Sequence, residues 1–353
     1  MSDTVQMAAL SGSSPDGPGG AKPRKSRISA GFGRYLVNRV SGTVVSLIAV
    51  LFSAFFIFRV LPGDPARNLM QEMQNPSAEL EAALRAEWGL DEPLWAQFWR
   101  YITGLAQGDL GTSIQYGVPV NQLFMDRLGP TLLLGGISLV LALIIGFSLG
   151  SRAAWKHGSR FDKGNVNFAL LFFSAPTFWV AMIAIIVFSR ELQLFPTGRM
   201  RSSQTQPNML AELLDVGHHL VLPTVTLTAM IYAGYLLTMR ASMLDEMGSD
   251  YLTTARAKGL RDDIVRRKHA SRNALLPTTT VVFMSIGNVI NGSLITEMIY
   301  SWPGLGYTFY QAIAVPDYPV LQGLFVIFAS ATVLANLGAD IFYWFIDPRA
   351  RKA

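Results

Sequence analysis

Long apolar runs, each long enough to span a membrane, alternate with polar connections along the chain. A helix needs about 20 consecutive apolar residues to cross a hydrocarbon core about 30 Å thick. The first run, VVSLIAVLFSAFFIF, is longer than a signal-peptide core, follows a long polar stretch and lacks a clear small-x-small cleavage site, so we expect an uncleaved anchor. The pattern predicts six helical spans, at residues 37–60, 132–150, 166–189, 220–239, 275–300 and 318–346.

Lysine and arginine are concentrated in alternate connections. They occur in the N-terminal tail, between the second and third predicted spans, between the fourth and fifth, and at the C-terminus, whereas residues 301–317 contain neither. Because positively charged loops are retained on the cytoplasmic side of a membrane, we expect both termini to be cytoplasmic and residues 61–128 to lie outside. The expected fold class is an all-α membrane protein with six transmembrane helices.

Composition agrees with a membrane protein. Of the 353 residues, 50% are hydrophobic and 15% are charged, and the mean hydropathy is +0.32, which is far from the balance of a soluble domain. The net charge of +5 does not indicate nucleic acid as a partner, because the basic residues lie in short connections and not on one face of a soluble domain. The absence of cysteine excludes disulfides, thiolate catalysis and cysteine-ligated metal centres.

The sequence has few candidates for catalysis. All four histidines fall in connections or at span ends, and the adjacent His218 and His219, near Asp215, would point in different directions on one helix. We therefore expect no catalytic residue and no metal site, and the chain is not expected to be an enzyme. No G-x-x-x-x-G-K-[ST] motif occurs, so we expect no cofactor on this chain, and any ATP with its Mg²⁺ belongs to another subunit.

Polar residues inside the predicted spans are candidates for a transport pathway, because a charge at a helix centre costs about 2.5 to 3.5 kcal/mol on insertion scales. Asn288, Asn291 and Glu297 lie in the fifth predicted span or at its outer end. Hydrogen bonding between helices is an equal alternative for the asparagines. Gly146 and Gly150 form a small-xxx-small pair, which favours close packing of two helices.

The long outer connection contains two helical patterns. NPSAELEAALRAEWG has cap residues at Asn75 or Ser77, glutamates in its first turn and a stop at Gly89. PLWAQFWRYITGLAQG places Trp95 and Trp99 on one face. Such a face is typical either of a helix at the membrane interface or of a docking surface for an external partner, and the pattern leaves both open.

The most basic connection is DYLTTARAKGLRDDIVRRKHASRNALLP, residues 250–277. It predicts two short helices with Gly259 between them, where a turn forms most easily without a side chain. Its small residues and positive charges suit insertion into a groove on another protein. A solvated loop that is retained inside by its charge is an equal alternative on pattern alone.

This basic connection resembles the cytoplasmic loop of binding-protein-dependent ABC importer permeases, whose pattern is E-A-A, three residues, Gly and a distal Leu-Pro. Residues 253–255 stand at the E-A-A positions as TTA, Gly259 matches the glycine, and residues 276–277 match the Leu-Pro. The missing glutamate and the longer Gly-to-Pro interval are similar to the oligopeptide and dipeptide permease branch, in its B-type permease subunit. Further segments resemble that branch in order and position: LPGDPA at 61–66, GDLGTS at 108–113, WPGLG at 302–306, DYPVLQG at 317–323 and IDPRAR at 346–351.

The resemblance implies a type I ABC importer permease fold in the plasma (inner) membrane of a prokaryote. It implies a heterodimer with a second homologous permease, two cytoplasmic ATPase subunits that bind ATP and Mg²⁺, and an external solute-binding protein. The implied cargo is di- or oligopeptides, and nickel chelates, glutathione or saccharides are alternatives with the same architecture. An ion-coupled secondary transporter is less favoured, because the sequence shows neither acidic groups near the midplane nor internal repeats.

The resemblance also assigns roles to residues. The implied coupling helix, which docks on an ATPase, consists of Thr254, Ala255, Arg256, Ala257, Lys258, Gly259, Leu260 and Arg261. Contacts with the solute-binding protein are expected at Trp302, Pro303, Gly304, Trp95 and Trp99. The expected regions are a disordered basic tail (1–35), the first transmembrane helix with an external helical region (36–124), an ABC transmembrane type-1 permease core (125–346) and a cytoplasmic C-terminal tail (347–353).

Overall fold

The computed structural model describes residues 27–60, 66, 67, 70, 77–87 and 89–346. Within these ranges the chain is mostly helical, and its only β-type pairing is an isolated antiparallel bridge between Thr112 and Pro119. Most of the predicted N-terminal tail, nearly all of LPGDPA and the C-terminal tail lie outside the described residues. The helices are α1 (Arg27–Val60), α2 (Ala78–Glu87), α3 (Leu94–Ala106), α4 (Val120–Trp155), α5 (Arg160–Ser174), α6 (Thr177–Ala184), α7 (Met209–Met247), α8 (Asp250–Ala257), α9 (Asp262–Ile264), α10 (Ser271–Gly292), α11 (Leu294–Ile299), α12 (Leu305–Ala314) and α13 (Tyr318–Ile346).

Four helices in the described part of the chain are long and apolar enough to cross a membrane: Tyr35–Phe58 within α1, α4, α7, and Tyr318–Phe342 within α13. A fifth candidate combines α5 with α6 and the π-helical turns Ile185–Glu191 that continue α6. The predicted span 275–300 is divided between α10 and α11 at Ser293. The helical architecture with several spans is therefore confirmed, whereas the number six and the cytoplasmic termini stay predictions.

The predicted span 166–189 is not one straight helix, which corrects the sequence prediction. The chain bends by 104° between α5 and α6, and Ala175 at the bend has extended backbone angles, with φ −77° and ψ 139°. Proline lacks an N–H group and disfavours helical geometry in the residue before it. Pro176 therefore ends α5 and stands at the start of α6.

Two glycines bring α4 and α7 into backbone contact, as the small-xxx-small pair predicts. A Cβ atom on Gly146 would lie 2.9 Å from the carbonyl oxygen of Tyr232, and one on Gly150 would lie 2.5 Å from that of Leu236. Both separations are shorter than van der Waals contact, so neither position has space for a side chain. The closeness of these two long helices depends on glycine at both places.

The helix α4 contributes to the packed cores at both of its ends. Near its start, Val120 and Leu123 pack with residues of α12 and α13, such as Leu305 and Leu324. At its end, Ala154 belongs to a cluster with Met239, Met243, Leu252, Ala255, Val265, Ala270 and Ala274. Since α4 has 36 residues, it is about 54 Å long at 1.5 Å per residue. One element therefore joins two distant cores.

The outer helical region begins as the sequence predicts. The Ser77 hydroxyl accepts the backbone N–H of Leu80 at 3.1 Å, which caps α2, and Gly89 follows α2 with φ +63°. The next helix, α3, packs on α1, because the ring centroids of Phe98 and Phe55 lie 5.1 Å apart. This contact fixes the outer region to the first span.

Candidate functional site

The coupling segment, residues 250–270, folds as two short helices on either side of Gly259. The first, α8, ends at Ala257, and the second, α9, begins at Asp262 and continues as the π-helical turns Val265–Ala270. Gly259 has φ +77°, a left-handed conformation that glycine adopts without strain. No atom of the described chain lies within 4 Å of the place of a Cβ atom on Gly259, so the turn faces open space.

One face of the coupling segment is buried and the other is exposed. Ala255, which is 5% exposed, packs with Leu252 and Val265. The other residues of the predicted coupling helix are exposed: Thr254, Arg256, Ala257, Lys258, Gly259, Leu260 and Arg261. Their surface combines three cationic side chains with small residues around an open glycine turn.

Trp155, the last residue of α4, contacts both short helices of the coupling segment. Its indole N–H donates to Asp262 Oδ2 at 2.6 Å. The Arg256 guanidinium lies 5.2 Å from the centroid of the indole ring, which is cation–π geometry, and Arg256 Nε lies 3.5 Å from Asp262 Oδ1. These three side chains, which we call the coupling clamp, join both short helices to α4.

A second contact joins the end of α4 to the coupling segment. The hydroxyl oxygens of Ser151 and Ser271 are 2.7 Å apart, and Arg266 Nη1 donates to Ser151 Oγ at 3.4 Å. Burial lowers the pKa of the Arg266 guanidinium, and the charges of Arg267 and Arg152 lower it further. Arginine remains protonated at neutral pH, so Arg266 brings a positive charge to the end of α4.

Asp162 and Arg240 form a bidentate ion pair between α5 and α7. Arg240 Nε lies 2.7 Å from Oδ1 of Asp162 and Nη2 lies 2.8 Å from Oδ2, and the Asp162 side chain is 3% exposed. The Gly158 N–H donates to Oδ2 at 3.0 Å, and His157 Nδ1 lies 3.3 Å from the same oxygen. This pair ties the second basic connection to the helix that leads into the coupling segment, and loss of Arg240 would leave the buried Asp162 carboxylate without its cationic partner.

Glu297 is buried and accepts hydrogen bonds at the start of α12. Its side chain is fully buried. Its Oε1 accepts the Ser293 hydroxyl at 2.7 Å, and its Oε2 accepts the backbone N–H groups of Gly306 and Tyr307 at 2.8 and 3.2 Å. The carboxyl group therefore satisfies donors in the first turn of α12, which lack partners within the helix. A role for Glu297 in the transport pathway stays a prediction.

The WPGLG loop, residues 302–306, is fastened from the interior. Trp302 is fully buried, and its indole N–H donates to the carbonyl oxygen of Pro130 at 2.9 Å. A Cβ atom on Gly304 would overlap two side-chain oxygens, which accounts for glycine there. Pro303 is partly exposed. A solute-binding protein at this loop would meet Pro303 and not the ring of Trp302, and the predicted contacts stay predictions.

A cavity of about 210 Å³ lies between α4, α7 and α10. Its lining is apolar except for one hydroxyl and one phenol, and consists of Gly135, Leu139, Leu227, Ile231, Tyr235, Ser285 and Val289. Asn288 and Asn291 also lie on α10, but their side chains are outside the described residues. Their proposed place in the pathway therefore stays a prediction.

Two of the histidines contact backbone carbonyls. His218 Nε2 lies 2.8 Å from the carbonyl oxygen of Leu194, and His219 Nδ1 lies 2.8 Å from that of Asp215. Among the residues that the structure describes, no group of three or more His, Asp or Glu side chains is arranged to hold a metal ion.

The sequence reasoning missed the coupling clamp and the Asp162–Arg240 pair. Both join residues far apart in the chain, by 107 positions for Trp155 and Asp262 and by 78 for the ion pair. The available signal for the ion pair was Asp162, the one acidic residue in its basic connection, whereas Asp262 is one of three aspartates in residues 250–277 and gave no such signal. The partner of neither aspartate could be read from the sequence.

Two family models match the sequence. The model described as binding-protein-dependent transport system inner membrane component matches residues 142–352, which include the coupling segment. The chain belongs to this family. A second model, for the N-terminal part of binding-protein-dependent transport system membrane components, matches residues 32–135. The resemblance that the loop motif indicated is confirmed, and this multi-pass membrane protein is a transport permease.

Similarity to individual permeases extends over most of the chain. The oligopeptide transport system permease protein AppB of Bacillus subtilis (strain 168) is 38% identical over 316 residues, which cover 89% of this chain and 98% of the relative. The dipeptide transport system permease protein DppB of Escherichia coli (strain K12) is 36% identical over 335 residues, with 90% and 98% covered. The glutathione transport system permease protein GsiC of Pectobacterium atrosepticum is 36% identical over 318 residues, with 90% and 98% covered.

Proposed function

We propose that this chain is one permease subunit of an ABC importer for di- or oligopeptides in the plasma (inner) membrane of a prokaryote. It pairs with a second homologous permease, receives peptide from an external solute-binding protein, and is driven by two cytoplasmic ATPase subunits that bind ATP and Mg²⁺. The names of the oligopeptide and dipeptide relatives support the cargo. The missing nucleotide-binding motif supports the separate ATPase subunits.

The exposed face of the coupling segment is the observation that carries this proposal. A loop that is only solvated needs no fixed shape, whereas this one has a buried side that packs through Ala255 and an open glycine turn at Gly259. Arg256, Lys258 and Arg261 surround that turn on the exposed side. We assign this face to the ATPase groove.

The proposal includes six spans with both termini in the cytoplasm. The distribution of lysine and arginine supports this topology. It puts the coupling segment on the side of the ATPases, and α2, α3 and α12 on the side of the solute-binding protein. Movement at the ATPase then reaches the outer side through α4, because the coupling clamp holds one end of this helix and Val120 packs near the other.

The cavity between α4, α7 and α10 forms one wall of the pathway in this proposal, and the second permease completes it. None of the residues that line this cavity carries a formal charge. A wall without fixed charges places little constraint on the side chains of a peptide, which suits cargo of variable sequence. Glutathione is the second candidate, because one similar permease is named for it. Nickel chelates and saccharides remain alternatives with the same architecture.

Gly259 provides the test of the docking assignment. Gly259→Asn places a side chain in the proposed groove contact, and asparagine tolerates the left-handed conformation better than most residues. Gly158→Asn is the matched control, because Gly158 has the same φ of +77° and the same open surroundings in another basic connection. We expect peptide uptake and stimulation of the ATPases by the binding protein to collapse in the first variant and to persist in the second.

Gly259→Asp makes the test more stringent, because it adds a negative charge at the proposed docking face. An unpaired charge that docking buries costs several kcal/mol, and each 1.4 kcal/mol weakens binding about tenfold. Both Gly259 variants should reach the membrane at normal levels, because the spans do not depend on this turn. Normal uptake by a well-expressed Gly259→Asp complex would show that the segment is only a retained basic loop.

A further inference from the structure

The outer helix α3 has one exposed aromatic face. Leu94, Trp95 and Trp99 are 60%, 75% and 66% exposed, and we call these three residues the aromatic face. The opposite side is buried, since Gln97 is 6% exposed and its amide donates to the backbone carbonyls of Leu90 and Glu92. A helix that exposes apolar side chains on the side facing away from the protein needs a partner for that side.

Ring contacts fix the depth of α3 relative to the first span. Phe98 lies with its centroid 6.1 Å from Phe52 and 5.1 Å from Phe55. Both belong to the apolar segment Tyr35–Phe58. Phe52 lies six residues before the end of that segment, which is about 9 Å at 1.5 Å per residue. Phe98 therefore lies near the level at which the hydrocarbon core ends.

The aromatic face continues the apolar surface of the first span. Only 11% of an 18-residue apolar window within Tyr35–Phe58 is buried within the described chain, and Phe52 and Phe56, whose rings touch, are 51% and 43% exposed. Phe52 contacts Phe98, which is the sequence neighbour of Trp99. Exposed phenylalanines of the span thus lead directly to exposed tryptophans of α3.

We propose that the outer-leaflet lipid interface covers the aromatic face, in place of the binding-protein contact predicted for Trp95 and Trp99. Tryptophan prefers the depth at which headgroups meet acyl chains, because its ring is apolar and its N–H is polar. Arg100, at the edge of this face, pairs with Glu92, and a charged edge beside an apolar side is typical of a helix that lies in the interface. Contact with lipid does not depend on the cargo, and it rests on the proposed topology only for the choice of leaflet.

Spin labels can test this contact in the complete complex. The chain has no cysteine, so Trp95→Cys or Trp99→Cys gives one nitroxide site once cysteines of the other subunits are replaced. The complex is placed in vesicles of phosphatidylethanolamine and phosphatidylglycerol, and collisions with oxygen and with a water-soluble nickel chelate are measured. Phe56→Cys on the first span is the lipid reference, and Ala82→Cys, exposed on α2, is the water reference.

The ratio of the collision rate with oxygen to that with the nickel chelate should be several-fold higher for labels at 95 and 99 than for the label at 82. It should be close to the ratio for the label at 56. Addition of the peptide-loaded binding protein should leave both ratios unchanged. Nickel accessibility equal to that at 82, immobilisation when the binding protein is added, or shielding from both reagents by the second permease would each overturn the proposal. A lipid-exposed label in a chain of inverted topology would contradict the proposed orientation and leave the lipid contact standing.

Discussion

Trp155 joins two parts of the chain that are 107 residues apart in sequence. The charged members of the coupling clamp are well solvated, because the side chains of Arg256 and Asp262 are 46% and 66% exposed, so their ion pair contributes at most about 1 kcal/mol. The Trp155 indole contacts both charged groups at once, and its residue is the last one of the long helix α4. The clamp therefore serves mainly to fix the position of the coupling segment on α4.

Trp155→Phe is expected to uncouple transport from ATP hydrolysis. The substitution keeps a ring for Arg256 and removes the N–H that donates to Asp262. Loss of this partly exposed hydrogen bond costs about 1 kcal/mol, which increases the detached population of the segment about fivefold. Lys258, Gly259 and Arg261 of the docking face do not contact the changed group, so ATP hydrolysis should continue while peptide transported per ATP falls. The ratio is measured by labelled dipeptide uptake and phosphate release in proteoliposomes.

Trp179→Phe is the control for this experiment. Trp179 lies on α6 and is 54% exposed, so the same chemical change there should leave the ratio of peptide to ATP unchanged. A wild-type ratio for Trp155→Phe would mean that the indole N–H does not help to transmit the movement.

At the level of elements, close contact between α4 and α7 is the basis of the packing. Backbone atoms of α7 lie 2.5 to 3.2 Å from the positions that Cβ atoms on Gly146 and Gly150 would take. A flexible side chain can move away from a new methyl group at little cost, but a helix backbone moves only with the whole helix. The contact therefore makes α4 and α7 respond together to movement at the coupling segment.

Gly150→Ala is expected to separate these two helices and lower the stability of the chain. Overpacking of this kind costs about 1 to 3 kcal/mol. Gly136→Ala on the same helix is the matched control, because no atom lies within 4 Å of its Cβ position, and alanine favours a helix over glycine by about 1 kcal/mol. Thermal unfolding of the complex in detergent should show a lower midpoint for Gly150→Ala only. A midpoint at or above that of the wild type would contradict the contact.

The sequence predicted elements whose signals are local. The hydroxyl of Ser77, the stop at Gly89, the glycine pair of α4 and the two short helices around Gly259 each follow from residues within one or two turns. The bend at Pro176 was missed, because the apolar run continues through it and hydrophobicity outweighed a single breaker.

Contacts between distant segments were not predictable from the sequence. Glu297 and Asn288 look alike as polar residues in an apolar run, and only the fold shows that Glu297 accepts hydrogen bonds from the first turn of α12. The tryptophans predicted to contact the solute-binding protein are a second case. Nothing in the sequence indicates that the ring of Trp302 is buried and the ring of Trp95 exposed.

At the scale of the whole molecule, the bent pair of α5 and α6 decides the topology. α5 has 15 residues and Thr177–Glu191 is equally long, so each arm measures about 22 Å. With a bend of 104°, the two ends lie about 28 Å apart at 1.5 Å of rise per residue. This distance nearly equals a hydrocarbon core of about 30 Å. The pair can cross once if the line between its ends follows the membrane normal, and otherwise it enters and leaves on one side.

The coupling clamp selects one of these two arrangements, because it holds the coupling segment against the end of α4 and therefore on the same side of the membrane. If the pair crosses, residues 192–208 lie outside, and α7 returns the chain to the cytoplasm at α8. A re-entrant pair would put residues 192–208 in the cytoplasm and α8 on the side opposite to the end of α4, which the contact between Trp155 and Asp262 rules out. The basic connections before α5 and after α7 favour one crossing, because both would then be cytoplasmic.

Single cysteines test the predicted orientation in intact cells. Gln204→Cys and Lys268→Cys are both exposed positions, one in the connection before α7 and one in the coupling segment. With one crossing, an impermeant maleimide should label position 204 directly and position 268 only after the membrane is permeabilised. Ala82→Cys, which is also expected outside, controls for access to the reagent. The reverse pattern, with 268 labelled in intact cells and 82 and 204 protected, would show that the chain is inverted and would remove the assignment of the coupling segment to the cytoplasmic ATPases.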